Sequence, residues 1–290
     1  MILSEKLNQD EKTKKELDIL YPQIKDRSIS FYLQEDSLDN LNEHILKKLE
    51  ELRGQTILIT DSVSYYEWAR EHEIPVIPIE TATDIEHGKK EFWSSKYILL
   101  GIEGISLSYI ERIYQRFYHM PWTILHTKRT LIREMTVEDV DALYEIYREP
   151  SITKYTDPLY KNPEDEKNFT RDYIEKVYEF FEYGIWIVED IEIPGKVIGR
   201  AGITVRDGYE DPEVGYVFAK DYQNQGYATE VLNAIVEYAK DELEIPRLRA
   251  LMNAENIPSK KLIHKLGFIY EGVVEIEGQI FEQYVKLIFT

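Results

Sequence analysis

The chain has 290 residues, of which 43% are hydrophobic and 12% aromatic; 35 basic against 54 acidic side chains give a formal charge of −19, and there is no cysteine. That length gives a prior of two domains, and the composition supplies enough apolar mass for more than one core, which excludes a disordered chain. The acid excess argues against a general nucleic-acid binder and against a protein for anionic membrane surfaces, because both need a basic face.

The missing cysteines exclude disulfides, thiolate metal sites and Cys nucleophiles, and they fit a reducing cytoplasm. Met1 to Lys15 is too polar for a secretory signal. Apolar stretches such as Tyr97 to Gly101 fall far short of the ~20 residues a membrane span needs. The sequence therefore reads as a soluble, acidic, cytoplasmic protein. A short polar break at His126 to Thr130 divides it, giving an expected first domain over residues 1–128 and a second over 129–290. The first holds 16 basic and 22 acidic residues (net −6), the second 19 and 32 (net −13).

In the first half, Thr56 to Thr60 reads as a buried strand that ends at Asp61-Ser62, both good helix N-caps, with a helix from about Val63 to Glu71 behind them. Pro75 to Ile79, Tyr97 to Leu100 and Trp122 to Leu125 read as further strands, with helices at about Leu38 to Leu52 and Ser106 to Tyr118. Strand and helix alternating at this spacing predict a small α/β layer with a parallel sheet. Through Ile59-Thr-Asp-Ser62 and Glu73-Ile-Pro-Val76 this block loosely resembles part of a haloacid-dehalogenase-like fold, over some 70 residues. Phosphatases of that kind pair a nucleophilic Asp with a second Asp two positions on. Asp61 is followed by Ser62 and Val63, so the pair is missing, Asp61 reads as a helix cap, and no hydrolysis is expected.

The second half is patterned more densely. Thr130 to Glu134 reads as a strand. Thr136-Val-Glu-Asp139 resembles a capping box that opens a helix to about Arg148. Asp165 to Phe181 reads as a second amphipathic helix. Ile185 to Val188, Val197 to Val205 and Glu213 to Ala219 follow as strands joined by short connections, so they should pair antiparallel. After a tight loop, Gln225-Gly226-Tyr227-Ala228 opens a long helix to about Glu242. Gly226 and Ala228 leave room for a bulky anion to reach the N–H groups of that helix's first turn, a pyrophosphate cradle in physical terms.

Gln223-x-x-Gly226-x-Ala228 resembles the Q/R-x-x-G-x-G/A signature of the GCN5-related N-acetyltransferase (GNAT) superfamily. Upstream, Glu213-Val-Gly-Tyr216 is similar to the strand opening of its ribosomal-protein-N-acetyltransferase-like branch. Downstream, Asn256-Ile-Pro-Ser259 matches N-x-x-S and Lys265-Leu-Gly-Phe268 matches K-L-G-F. The resemblance covers about Thr130 to Phe289 and implies a mixed, largely antiparallel sheet with flanking helices and acetyl-CoA as co-substrate. It implies that the backbone of Val217, Phe218 and Ala219 holds the pantetheine amides, an N–H near Phe218 polarising the thioester carbonyl. By the same resemblance Gln223 belongs to the cofactor loop, the amides of Asn224, Gln225, Gly226, Tyr227, Ala228 and Thr229 take the pyrophosphate, and Asn256 and Ser259 contact the cofactor. Two departures stand out. Many relatives carry Lys or Arg where this chain has Asn224 and Gln225, which leaves phosphate binding to backbone dipoles and distant bases such as Lys260 or Lys261. The Tyr that serves some relatives as general acid, seven positions after the Asn, is replaced by Ile263.

Acetyl transfer needs a neutral amine, and an amine of pKa near 10 must first lose a proton. Glu213 is the first candidate base, with a solvated charge after Pro212 as the competing reading. Tyr222 is a candidate donor to the thiolate, with packing as its alternative. One of Tyr216 and Val217 should face the acceptor cleft, which Trp186, Tyr155 and Tyr284 could wall. The six histidines show no ligand spacing, so no metal is expected. The leading expectation is an acetyl-CoA-dependent N-acetyltransferase for a primary amine (protein N-terminus, lysine, polyamine or small molecule), and the net −13 favours a cationic acceptor. The alternative is a non-catalytic acyl-CoA sensor with the first domain as effector module. A phosphatase–transferase fusion is disfavoured by the missing second Asp. The first domain could also form a homodimer or cover the cleft.

Overall fold

A computed structural model describes residues 2–4, 11–26, 34–36, 42–80 and 92–289. The chain divides into two compact units, Met1–Met120 and Pro121–Thr290.

The first unit is built on a parallel sheet of β1 (Ile2–Ser4), β2 (Gln34–Asp36), β3 (Leu58–Thr60) and β4 (Val76–Pro78) in the order β2-β1-β3-β4. Its described helices are α1 (Glu11–Asp26), α2 (Glu43–Glu51), α3 (Val63–Glu71) and α4 (Leu107–Phe117). The expected start of α2, from Leu38, falls largely outside the described residues. A strand alternates its side chains, so Leu58 joins one cluster with Tyr65, Tyr66 and Val76 while Ile59 joins another with Ile77, Ile110 and Ile113. A sheet covered on both faces needs apolar residues at successive positions, which explains the unbroken Leu58-Ile59.

Three sequence expectations change in this unit. Tyr97 to Leu100 contributes a single parallel bridge, Leu99 to Ile79, instead of a full strand. Ser62 caps α3 by accepting from the N–H of Tyr65, so the cap is Ser62 and not Asp61. Trp122 to Leu125 does not join this sheet: β5 (Thr123–His126) pairs antiparallel with β6 (Thr130–Arg133) in the second unit. That hairpin is why the division falls before residue 128, since the polar break at Thr127 to Arg129 is a hairpin turn and not a linker.

The second unit is an eight-stranded sheet. Its remaining strands are β7 (Ile185–Asp190), β8 (Val197–Thr204), β9 (Glu213–Phe218), β10 (Arg247–Met252), β11 (Ile269–Ile276) and β12 (Gln279–Leu287). The order is β11-β12-β10-β9-β8-β7-β6-β5, antiparallel throughout except between β9 and β10. Its helices are α5 (Val140–Tyr147), α6 (Pro150–Thr153), α7 (Pro163–Tyr173), the short α8 (Glu179–Phe181), α9 (Tyr227–Asp241) and α10 (Ile257–Lys265). The Asp139 carboxylate accepts from the N–H of Thr136 (2.7 Å), the capping contact expected from sequence. A π-helical turn, Ile174–Tyr178, joins α7 to α8.

Register assigns the helices to opposite faces. Arg200 stacks on Tyr147 of α5, whereas Trp186, opposite Ala201, packs edge-on against Tyr238 of α9. Arg200 and Ala201 point to opposite faces, so α5 covers one and α9 the other. The Arg133 guanidinium ties α5's entry to the sheet, bonding both carboxylate oxygens of Asp139 (2.7 and 2.8 Å) and Glu189 (2.7 Å) with little exposure. Removing one partner from a buried pair strands the other charges. Arg133→Ala is therefore expected to destabilise the second unit by about 3 kcal/mol, read as faster amide hydrogen exchange in β6 and β7; unchanged exchange there would contradict it.

Candidate active site

The parallel neighbours β9 and β10 are joined at one point. Arg249 lies in register with Glu213, and its N–H donates to the carbonyl of Pro212 (2.9 Å). Beyond that the strands part, although each stays laddered on its far side, β9 to β8 and β10 to β12, over six residue pairs each. The Ala219 N–H donates to Ile198 (2.8 Å). The alternation of an antiparallel ladder then turns the amides of Val217 and Ala219 toward β8, and those of Tyr216 and Phe218 toward the gap. The strand edge open to an extended ligand is thus formed by Tyr216 and Phe218. Of the three backbones expected to hold pantetheine, Phe218 is placed to do so, while the Val217 and Ala219 amides are spent within the sheet.

The loop after β9 closes the wide end of the gap. Asn224 and Gly226 both have positive φ (57° and 85°), which turns successive N–H groups inward. From Asn224 to Thr229 no backbone N–H makes a hydrogen bond of normal geometry to the described residues, and the first helical bond is Glu230 to Gly226 (3.0 Å). Open N–H groups at a helix N-terminus form an anion site. Gln223 does not face it: its Nε2 donates to Phe218 O (2.9 Å) and staples the loop to β9. Asn256 caps α10 by accepting from the Ser259 N–H (3.3 Å), a structural role. Ser259 sits beside the buried Tyr216 hydroxyl, which lacks a hydrogen bond of good geometry; burial pushes that phenol's pKa up and Ser259 opposes the shift.

The cation missing from the loop sequence arrives from the β5–β6 turn. The Arg129 guanidinium stacks on the ring of Tyr227 at 3.8 Å, donates from Nη1 to Gln225 O (3.1 Å) and from Nε to the Glu230 carboxylate (2.7 Å). Its Nη2 lies 3.6 Å from where a Cβ on Gly226 would stand. Glu230 also accepts from the Arg129 N–H and from Thr127 Oγ1. Burial pushes the Glu230 pKa up, but the Thr127 and Arg129 hydrogen bonds outweigh it and the net shift is downward. Lys260, considered as a distant base, is instead paired with Glu282 (2.9 Å).

A family model for an acetyltransferase (GNAT) domain matches residues 129–269. The uncharacterized N-acetyltransferase YnaD of Bacillus subtilis is 35% identical over 146 residues, which are 50% of this chain and 82% of that protein. The chain belongs to the GNAT acetyltransferase family. The uncharacterized N-acetyltransferase p20 of Bacillus licheniformis is 27% identical over 172 residues, covering 56% of this chain and 93% of the relative. A solved structure of RimL, a ribosomal L7/L12 α-N-protein acetyltransferase, superposes with a TM-score of 0.50 at 15% identity over 59% of this chain and 96% of its own; at that identity it speaks for the fold. These findings support the acetyltransferase resemblance of the second half and give no support to the haloacid-dehalogenase one of the first. The family uses acetyl-CoA, and the open strand edge and the amide-lined loop fit it. Among the described residues no helix is long and apolar enough to cross a membrane.

In this GNAT unit Glu213 lies on the α5 face of β9, because it is in register with Thr204, two residue pairs along from Gly202 and four from Arg200. It is buried, and its Oε2 accepts from Arg206 Nε (2.9 Å) and lies 3.8 Å from Arg249 Nη2. Both guanidinium groups engage this one carboxylate, so in this structure it serves as an ion-pair partner at the β9–β10 junction. The Tyr222 hydroxyl donates to Asp190 Oδ2 (3.1 Å), and its ring meets Tyr227 edge-on, so it packs the loop and does not face the gap. Trp186 and Tyr284 belong to the core on the α9 side, whereas Tyr155 donates to Glu255 O (3.2 Å) at the end of β10. Val217, one of the pair expected to face the cleft, shares the Glu213 face. Arg129 was invisible in the sequence because it acts across about a hundred residues; the local hint is Glu230, an anion within the first turn of an anion-binding helix. Glu213→Gln is expected to leave the pH at half-maximal kcat/KM within a few tenths of a unit. Loss of the rising limb of that profile would restore Glu213 as the base.

Proposed function

We propose that the chain is an acetyl-CoA-dependent N-acetyltransferase that passes its acetyl group directly to a primary amine. The observation that carries this is the conjunction of the open β9 edge with the amide-lined loop and its clamped Arg129. Bound acetyl-CoA supplies an activated thioester. The loop amides from Asn224 to Thr229 and the Arg129 guanidinium receive its phosphates. The Tyr216 and Phe218 amides take the extended arm and polarise the acyl carbonyl, a stabilisation that backbone donors supply without reorganising.

Glu213 is occupied by arginines, so the ammonium proton of the acceptor leaves through solvent. The buried Tyr216 hydroxyl keeps its proton at neutral pH and stands beside Ser259 on the α10 side of the gap, where it donates to the departing sulfur. This supplies a donor that Ile263 does not. The argument for a non-catalytic sensor rested on a loop without a cation and on the missing acid, and Arg129 removes the first of these. We assign the first unit a non-catalytic role, since Asp61 has no second Asp two positions on.

Calorimetric titration of the full chain with acetyl-CoA, beside Arg129→Ala and Gly226→Glu, tests the reading. Loss of one charge-assisted hydrogen-bond set is expected to weaken binding about tenfold in Arg129→Ala, and Gly226→Glu is expected to abolish it. A wild type that binds acetyl-CoA but releases no CoA to any amine would leave the sensor standing. Binding that is indifferent to both substitutions would refute the loop assignment.

A further inference from the structure

The α5 face of the sheet carries positive charge that the acetyl-CoA site does not use. Arg249 is 1% exposed, and neither its Nε nor its Nη2 makes a hydrogen bond. Guanidinium stays charged in proteins, and a buried charge with idle donors is costly unless something completes its partners. Tyr209, on the β8–β9 connection, lies over the guanidinium at 3.6 Å; its ring offers a cation–π contact but no acceptor for those N–H groups. Glu213 is shared, bonded to Arg206 at 2.9 Å and only 3.8 Å from Arg249. Two cations on one carboxylate leave one positive charge over.

The nearby carboxylates do not supply the balance. Asp211 is taken by Arg247 at 3.2 Å, and Arg247 also holds Glu271. Asp157 and Glu277 act on Arg206 only through space, and both are exposed to water. Burial lowers the Arg249 pKa and Glu213 opposes that shift, as expected for a cation with too few partners.

We propose that a carboxylate on the acceptor completes this set at Arg249 and Arg206, so that the preferred substrate is a small amine that also bears a carboxylate. The proposal rests on the N-acetyltransferase reading. Position supports it: the Glu213–Arg249 pair lies three residues upstream of Tyr216, roughly 10 Å along the strand from the amide that faces the gap. An amino-acid-sized molecule anchored at the arginines points its amine toward the thioester end. Tyr209 covers Arg249 in this structure, so entry of the anion requires that ring to move aside.

The test pairs amino acids with their carboxamides as acceptors and follows CoA release by the full chain, with acetyl-CoA binding measured in parallel. Wild type is expected to favour the acids at least tenfold in kcat/KM. Arg249→Met, and independently the half-exposed Arg206→Gln should the buried variant fail to fold, is expected to erase that preference with acetyl-CoA binding unchanged. Equal use of acids and amides by wild type, or an equal loss on both in the variants, overturns the proposal and leaves Arg249 a structural cation. Melting-temperature shifts with succinate separate this from failure of the parent reading. If no amine is turned over or acetyl-CoA does not bind, a succinate shift lost in Arg249→Met still supports the anion site, and the absence of a shift in wild type refutes it.

Discussion

Everything in the second unit hangs on how little β9 and β10 share. Parallel neighbours ordinarily ladder along their length, yet these two meet at the Arg249–Glu213 pair and the bond to Pro212. The outer edges of both strands are saturated by β8 and β12. The sheet therefore remains one continuous, cooperative structure while its middle offers an unpaired strand edge. An unpaired edge normally invites aggregation. In this chain the Gln223-to-Thr229 loop stands at its wide end, and α5 and α9 cover the two faces of the sheet, so an extended ligand is what can complete the edge.

The loop shows how charge is managed around such a ligand. A helix N-terminus attracts anions, and an acidic residue in the first turn is favoured by the same dipole. Glu230 and a bound phosphate would then compete for one positive end. The β5–β6 turn resolves the conflict by bringing Arg129 against Glu230, so that the carboxylate becomes the clamp of a cation and not a rival anion. Stacking on Tyr227 fixes the guanidinium plane, and the entropy of a long side chain is spent in folding instead of in binding.

This division of labour explains what could be read from the sequence. Gly226, Ala228 and Gly267 sit within short motifs whose geometry is local, so the loop and the succession of strands and helices along the chain were legible, whereas Asn256, expected as a cofactor contact, caps α10. Antiparallel pairing from β7 to β9 followed from short connections, whereas the β6–β7 pairing spans the intervening helices and did not. The β5 strand was misplaced because Trp122 to Leu125 is equally apolar for either sheet, and only pairing with β6 decides. Val217 and Ala219 were named where Tyr216 and Phe218 hold the free amides because the phase of a ladder depends on its partner strand, which the motif does not contain. The guanidinium partners of Glu213 were not legible because they come from other elements, Arg206 beyond β8 and Arg249 on β10.

The same long-range pairing bears on the charge of the acceptor. The second half carries net −13, which from the sequence pointed to a cationic partner. Exposed charges are screened over about 8 Å at physiological ionic strength, whereas buried ones are screened far less. An amine approaching through water is drawn by the acid surface at long range; at the proposed acceptor site it meets Arg206 and Arg249, with Glu213 between them. A pure polycation would be attracted to the protein and repelled by these two arginines. A zwitterion is drawn by the acid surface through its ammonium group and held at the arginines by its carboxylate, which under the proposal leaves the amine toward the thioester, and the two opposed signs of charge in this unit then act on different ends of one substrate.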